Sequence, residues 1–252
     1  MMIATVASLV MAMAPVEVQE VKIPKTLASF KIVKIPAGTL KTATGEVKIA
    51  EFWIGQTEVT WDTYDVYAFK MDLSDAEKAA NAEASSRPSK PYGAPDRGFG
   101  HKGFAALGPH LNAAENYCKW LSRKTGKKFR LATPEEWEYA ARAGDLGAAP
   151  KNLEKTAWLW ETSDDVAHPV GKLPANEFGL HDMFGNVTEW VKDASGTGWV
   201  MGGSFADKAA SIRFDTKKPY DPAWQEADAH VPKSKWWLSN GEIIGFRVVS
   251  TG

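Results

Sequence analysis

Apolar and polar residues alternate through the segment 30–54, which is the pattern of half-buried β-strands. The alternation runs through Phe30–Ile35 and Val47–Ile54, and it is interrupted by breakers at Pro36–Gly38 and Thr44–Gly45. Short alternating runs separated by turn residues are typical of antiparallel strands. The segment is therefore predicted to form antiparallel strands joined by tight turns.

Apolar residues recur at helical spacing in two later segments, Thr60–Phe69 and Ala113–Arg123. Cys118 falls on the apolar face of the second segment, and Gly126 marks its predicted C-terminal end. A reactive thiol needs an exposed, electropositive site, so Cys118 is predicted to be a packing residue. It is the single cysteine of the chain, which excludes an internal disulfide.

The segment Thr133–Arg142 has the strongest local helix signal. Thr133 and Glu136 have the spacing of a capping box, Pro134 occupies the first helical position, and Gly144 follows the last turn. These signals predict a helix that begins at Pro134 and stops before the glycine.

The remaining chain has less regular patterns. Residues 71–100 are polar and then rich in Pro, Gly and Ser, which predicts a long surface loop. After residue 145, short apolar runs alternate with Gly, Pro, Asp and Asn without helical periodicity. The predicted fold class is α+β, with two main helices packed on small twisted antiparallel sheets and much irregular structure.

Composition narrows the class of protein. The 252 residues are 44% hydrophobic and 24% charged, which is ordinary for a globular domain with a proper core. Thirty basic residues stand against 31 acidic ones, and no dense run of Lys and Arg occurs, so no nucleic-acid partner is expected. No apolar run is long enough to span a membrane.

The first residues resemble an export signal. Met1–Ala14 is apolar, has the length of a signal-peptide core and ends in the small-residue site Ala12–Ala14, although no basic residue precedes it and Pro15 follows. We expect a signal peptide at residues 1–14, a linker at 15–29 and one domain at 30–252. The predicted location is extracytoplasmic (periplasmic or secreted), or cytoplasmic if the run is not a signal.

Three blocks in the C-terminal half carry a family resemblance. They are NEFGLHDMFGNVTEW at Asn176–Trp190, MGGSF at Met201–Phe205 and GFRVV at Gly245–Val249. Together with the helix segment RLATPEEWEYAAR, and in this order, they resemble the formylglycine-generating enzyme, or sulfatase-modifying factor, domain family. The resemblance covers roughly residues 30–250 and implies a C-type-lectin-like α+β fold.

The resemblance also shows what the chain lacks. In the family's oxidases two cysteines follow the Gly-Gly-Ser block, and counting from Gly202 their places fall on Asp207 and Ile212. The oxidases hold Cu(I) between these thiolates, and a soft ion needs soft ligands. Asp207 is a hard ligand, Ile212 is no ligand, and Cys118 lies in another helix. We therefore expect no copper and no catalytic residue.

Two functions remain open from the sequence. One is a non-oxidative pseudoenzyme that binds a peptide, protein or glycan or acts as a scaffold. The alternative is a formylglycine-generating or related oxidase that acts on a protein or peptide through a rearranged site. The five histidines do not support another metal chemistry, because none has the spacing of a zinc or iron site. The oligomeric state is left open.

Calcium is implied by the resemblance. The family pattern places ligands on the side chains of Asp182 and Glu189 and on the carbonyls of Gly185 and Val187. Ca²⁺ takes about six to eight oxygen ligands and tolerates irregular angles, which a glycine-containing turn between two carboxylates can supply. The alternative is that Asp182 caps a turn and Glu189 pairs with an arginine.

The ligand-binding residues are predicted from the same resemblance, which places the family's substrate groove at the Gly-Gly-Ser block and the loop before the last block. Here these regions contribute Ser204 and, within residues 216–240, Trp224, Trp236 and Trp237. Aromatic residues among mixed charges on a long loop are typical of peptide or glycan recognition. The alternative is that these tryptophans pack the loop onto the body of the protein.

Overall fold

The alternating N-terminal residues form five strands in the computed structural model, which describes residues 16–91 and 93–251. The strands are β1 (Val18–Lys22), β2 (Ser29–Ile35), β3 (Gly38–Thr42), β4 (Gly45–Ile49) and β5 (Phe52–Gly55). All their pairings with one another are antiparallel, which confirms the prediction for residues 30–54.

The predicted linker at residues 15–29 needs correction. It contains β1, which pairs with β2 in a register that sets Val18 opposite Val33. Val21 of this strand is only 3% exposed. The five residues of β1 are too few and too polar to be distinguished as a strand by periodicity alone, and their pairing with β2 supplies the missing stabilisation.

Six further strands complete three sheets. They are β6 (Phe129–Leu131), β7 (Thr188–Lys192), β8 (Gly198–Met201), β9 (Lys217–Pro219), β10 (Ile244–Phe246) and β11 (Val248–Ser250). The five-stranded sheet has the order β1-β2-β5-β11-β6, the four-stranded sheet β10-β7-β8-β9, and β3 and β4 form a hairpin. Only the β10–β7 pair among these described strands is parallel.

The described helices are α1 (Trp61–Ala68), α2 (Asp75–Ala79), α3 (Leu111–Thr125), α4 (Pro134–Arg142) and α5 (Leu153–Thr156). Helices α1, α3 and α4 agree with the predicted segments, whereas the short helices α2 and α5 lie where the sequence predicts no helix. Helix α4 begins with the predicted capping box, in which Thr133 Oγ1 accepts from the Glu136 amide and the Glu136 carboxylate accepts from the Thr133 amide. Helix α3 ends at Gly126, which has φ 75°. Cys118 is 2% exposed, which confirms it as a packing residue.

The five-stranded sheet separates two apolar cores. Neighbouring residues of a strand point to opposite faces, and Ile32 and Val33 accordingly enter different cores, as do Val248 and Val249. One core contains α1 and α3, and the other contains Trp137 of α4. A sheet that is buried on both faces fixes the strand register firmly, because a slip of one residue would exchange the two apolar sets.

A histidine fastens the long segment 71–100 to α1. His101 Nε2 lies 2.6 Å from Asp65 Oδ2, and its Nδ1 lies 3.1 Å from Asp96 Oδ2. Because both nitrogens face carboxylate oxygens, both bonds form only when the ring carries two protons. Burial alone lowers the pKa of His101, but the two carboxylates outweigh it and raise that pKa. The ring also stacks on Trp61, with 5.1 Å between the two ring centroids.

Within the two described ranges, no helix is long and apolar enough to cross a membrane. The predicted signal peptide lies outside the described residues and stays a prediction.

Candidate functional site

Four charged side chains are buried together where the sheets and α4 meet. Glu58 follows β5, Asp182 precedes β7, Glu189 lies in β7, and Arg247 stands between β10 and β11. Each is 3% exposed or less. Three carboxylates and one guanidinium in the interior must be balanced by hydrogen bonds or by protons, because buried charge is costly unless it is compensated.

Arg247 and Glu189 form the central pair of this cluster. Arg247 Nε lies 2.8 Å from Glu189 Oε2, and its Nη2 lies 2.7 Å from Oε1. Trp137 Nε1 donates to the same carboxylate at 2.8 Å. The remaining guanidinium hydrogens reach the carbonyls of Gly55 and His181 at 2.9 and 3.0 Å. Burial opposes the charge of Arg247, but the Glu189 carboxylate outweighs it and raises the Arg247 pKa.

Glu58 and Asp182 are only partly satisfied. Glu58 Oε1 accepts from Asn186 Nδ2 at 3.0 Å, and Asp182 Oδ2 accepts from the Gly171 amide at 2.6 Å. Their other oxygens, Glu58 Oε2 and Asp182 Oδ1, are buried and have no partner among the described residues. Burial first, and then the nearby Asp182 carboxylate, raises the pKa of Glu58 well above its ordinary value. Burial likewise raises the pKa of Asp182.

The four positions predicted for calcium lie on the turn that leads into β7 and at the start of that strand. Gly185 has φ 74° and its amide donates to the Gly202 carbonyl, while the side chain of Val187 packs in the core. Glu189 is occupied by Arg247, so an added cation would stand beside a guanidinium. The described ranges contain no group of three or more acidic, histidine or cysteine side chains that could hold a metal. The alternative pairing of Glu189 with an arginine describes these contacts, and calcium binding stays a prediction.

The turn after β8 carries Asp207 and Ile212, where the resemblance places the family's cysteines. Ser204 donates to Asp207 Oδ2 from its amide and its hydroxyl, both at 2.9 Å. Lys218 Nζ lies 3.0 Å from Asp207 Oδ1. Ile212 is 5% exposed and packs so close to Gly203 that a Cβ there would lie 2.4 Å from its Cδ1. One position is therefore filled by a paired carboxylate and the other by an aliphatic side chain.

A groove of about 120 Å³ opens beside this turn. Its floor includes Ile212 and Gly203, and its charged lining residues are Asp207, Arg213 and Lys218. We call this set the turn groove.

The backbone of Trp160 is fastened to the turn that lines the groove. Its amide donates to the Asp207 carbonyl at 3.0 Å, and its side chain is 51% exposed. The neighbouring Glu161 carboxylate accepts from the Ala209 amide at 3.1 Å, which fastens this segment to the far side of the same turn. Sequence reasoning missed Trp160 and Arg213. The pattern Trp158-Leu-Trp160 was the available signal, but it does not reveal which ring faces solvent.

Most of the residues predicted to bind the ligand are buried. Trp236 and Trp237 are 7% and 4% exposed, and Ser204 is fully buried. Trp237 Nε1 donates to the Ser89 carbonyl at 2.8 Å, so segment 71–100 covers it. Trp224 is partly buried against the body of the protein, where it meets another tryptophan edge to face. These contacts favour the alternative, that the rings pack the loop onto the body, for Trp236 and Trp237, and ligand binding by the four residues stays a prediction.

We predict that Glu58→Gln changes how stability depends on pH. The pKa of Glu58 is raised in the folded state. Its contribution to the free energy of unfolding is therefore full below the ordinary pKa of 4.5 and is lost as the pH rises through the folded-state pKa. Glutamine keeps the acceptor for Asn186 and carries no charge. The free energy of unfolding of the variant should therefore increase relative to that of the wild type as the pH rises from the ordinary to the folded-state pKa of Glu58, by up to about 1.4 kcal/mol per pH unit.

Denaturant unfolding at a series of pH values measures this difference, with Glu46→Gln on exposed β4 as the control. If the free energies of unfolding of Glu58→Gln and the wild type change in parallel with pH, the pKa of Glu58 is not raised in the folded state.

The calcium prediction is tested by thermal unfolding. If calcium binds, the melting temperature should be higher in millimolar calcium than in excess chelator, and Asp182→Asn should remove this difference, since a ligand that binds only the folded state stabilises it. An equal melting temperature in calcium and in chelator would contradict the calcium prediction and leave Glu189 as the partner of Arg247 alone.

The chain is similar to several known proteins. The family model described as sulfatase-modifying factor enzyme 1-like domain matches residues 19–251. The chaperone protein LppX of Paenibacillus barcinonensis is 26% identical over 247 residues, covering 75% of this chain and 86% of that protein. The formylglycine-generating enzyme of Mycobacterium tuberculosis is 40% identical over 91 residues, 30% of this chain and 28% of that enzyme. The inactive C-alpha-formylglycine-generating enzyme 2 of Bos taurus is 35% identical over 95 residues, 32% of this chain and 30% of that protein.

Solved structures share the architecture. PvdO from Pseudomonas aeruginosa superposes with a TM-score of 0.62 at 25% identity and covers 87% of this chain and 94% of its own. Treponema denticola variable protein 1 gives a TM-score of 0.67 at 19% identity over 93% of this chain and 99% of its own, which shows the fold alone. These likenesses confirm the predicted C-type-lectin-like α+β fold. With a family model matching nearly the whole described chain, the protein belongs to the sulfatase-modifying factor domain family.

Proposed function

We propose that this chain is a non-oxidative, ligand-binding member of its family, and that it takes a peptide, protein or glycan at the turn groove. The observation that carries the proposal is the content of the two cysteine positions. Asp207 is bonded to Ser204 and Lys218, and Ile212 is packed against Gly203. Neither side chain can hold a soft copper ion.

Cys118 does not compensate for the missing pair. It lies on α3, is 2% exposed, and is the single cysteine in the sequence. Burial raises its pKa, so the thiolate that would bind metal or attack a substrate is disfavoured. The interior position and the protonated state both support a structural role for this sulfur.

The relatives support a role without oxidation. The bovine relative is described as inactive, and the Paenibacillus relative is described as a chaperone protein. The first description indicates that this domain occurs without oxidase activity, and the second is compatible with a protein ligand. Neither description names the ligand of this chain.

The groove offers features that recognition requires. It is concave and combines an apolar floor with charged residues at its edge. The half-exposed Trp160, whose backbone amide is fixed to the Asp207 carbonyl, offers a ligand a large, rigid apolar surface. By contrast, the tryptophans of the loop 216–240 contribute mainly to the core.

Copper titration and peptide mass spectrometry test the proposal. We expect the protein to bind no Cu(I) and to leave the thiol of a Cys-x-Pro-x-Arg peptide intact in the presence of copper and dioxygen. The matched control is the double variant Asp207→Cys, Ile212→Cys, which should gain Cu(I) binding because it returns two thiolates to the family positions.

Conversion of the peptide thiol to an aldehyde by the wild-type protein would refute the non-oxidative role and establish the oxidase alternative. Failure of the double variant to bind Cu(I) would show that positions 207 and 212 do not correspond to the family's cysteines.

A further inference from the structure

We propose that the turn groove recognises a carboxylate group of its ligand, with Arg213 as the side chain that pairs with it. This inference rests on the proposed function, because it assumes that the groove is the ligand site. It adds the chemical class of the recognised group and the residue that selects it.

The guanidinium of Arg213 is held in place without being neutralised. Its Nη1 donates to the carbonyls of Ala210 and Ile212 at 2.9 and 2.7 Å. Among the described residues it takes part in no ion pair, and its Nε and Nη2 have no hydrogen-bond partner. An arginine that is oriented by one nitrogen and free at the other two presents the paired donors that match a carboxylate.

The other charges of the groove are already balanced. Asp207 accepts two hydrogen bonds from Ser204 and one from Lys218, so its carboxylate is satisfied on both oxygens. The charged lining residues are therefore one matched Asp207–Lys218 pair and the unmatched Arg213. The net positive charge that remains belongs to Arg213, and it favours one negative group on the ligand.

Arg213 is exposed at the groove, and the size of the groove limits the group that can lie within it beside this residue. Its volume of about 120 Å³ accommodates a group no larger than a small side chain. Gly203 has φ 70° and no Cβ, and a side chain there would collide with Ile212. The carboxylate thus enters over a glycine and an aliphatic floor. It can come from an Asp or Glu side chain or from the C-terminus of a peptide.

Trp160 offers a second contact for the ligand. Its backbone amide is fixed to the Asp207 carbonyl, and its side chain is 51% exposed. Residues that flank the carboxylate in an extended ligand can pack against this exposed ring. The arrangement combines one charged anchor with one apolar one.

Peptide binding to the full chain tests the inference. The probes are a library of short labelled peptides. Each sequence is made with Asp and Glu and again with Asn and Gln in their place, and each of these two versions is made with a free and with an amidated C-terminus. We expect the acidic forms to bind more tightly than their neutral counterparts. Loss of binding on amidation identifies the C-terminus as the source, and loss on Asn or Gln replacement identifies the side chain.

The variant Arg213→Gln should weaken binding of the acidic forms by about tenfold, the size of a lost charge-assisted pair. The affinity of the variant for the acidic peptides should then be close to its affinity for the neutral ones. The matched control is Arg123→Gln, which makes the same change on α3, away from the groove. Circular dichroism melting confirms that both variants are folded.

The two ways of failing are distinguishable. If peptides bind, and Trp160→Ala weakens them, but acidic and neutral forms are equal and Arg213→Gln has no effect, the carboxylate inference is overturned while the binding function stands. If none of the peptides binds the wild-type protein, the inference fails, and so does the proposal that the ligand is a peptide.

Discussion

The buried pair between Arg247 and Glu189 joins the parts of the chain that surround the site. Arg247 stands between β10 and β11, and Glu189 lies in β7, so the pair connects the two larger sheets. Trp137 adds α4 through its bond to the same carboxylate, and the Gly55 carbonyl adds the end of β5. Removing one partner of such a pair leaves a buried charge uncompensated, which costs about 3–5 kcal/mol. The buried pair therefore fixes β5, β7, α4 and the segment between β10 and β11 relative to one another.

The turn groove rests on the same side chains. A Cβ on Gly202 would lie 3.0 Å from the ring of Trp137, so the start of the Gly-Gly-Ser turn lies directly on the residue that bonds Glu189. The groove's own features, Asp207 and Ile212, lie farther along that turn. This separation explains how the fold persists without a cysteine pair. The scaffold is fixed by buried charge and aromatic packing, while the chemistry depends on two positions that the charge cluster does not use.

Local signals predicted most of the fold and only part of the site. The capping box of α4 and the burial of Cys118 follow from residues within one or two turns of helix, and sequence periodicity records such short-range preferences. The burial of Trp237 depends on contact with Ser89, far away in the chain, and no local pattern contains it. For the same reason the exposure of Trp160 could not be read from its neighbours. The sequence indicates the pairing of Glu189 with an arginine only as an alternative to calcium.

A double-mutant cycle on Glu189 and Arg247 tests the central role of the buried pair most directly. The free energy of unfolding is measured by denaturant for the wild type, Glu189→Gln, Arg247→Met and the double variant. We predict that each single change is strongly destabilising and that the coupling energy is at least about 2 kcal/mol, because the second change removes the charge that the first left unpaired. Changes that add to within about 0.5 kcal/mol would contradict this account, since additivity is the behaviour of independent sites.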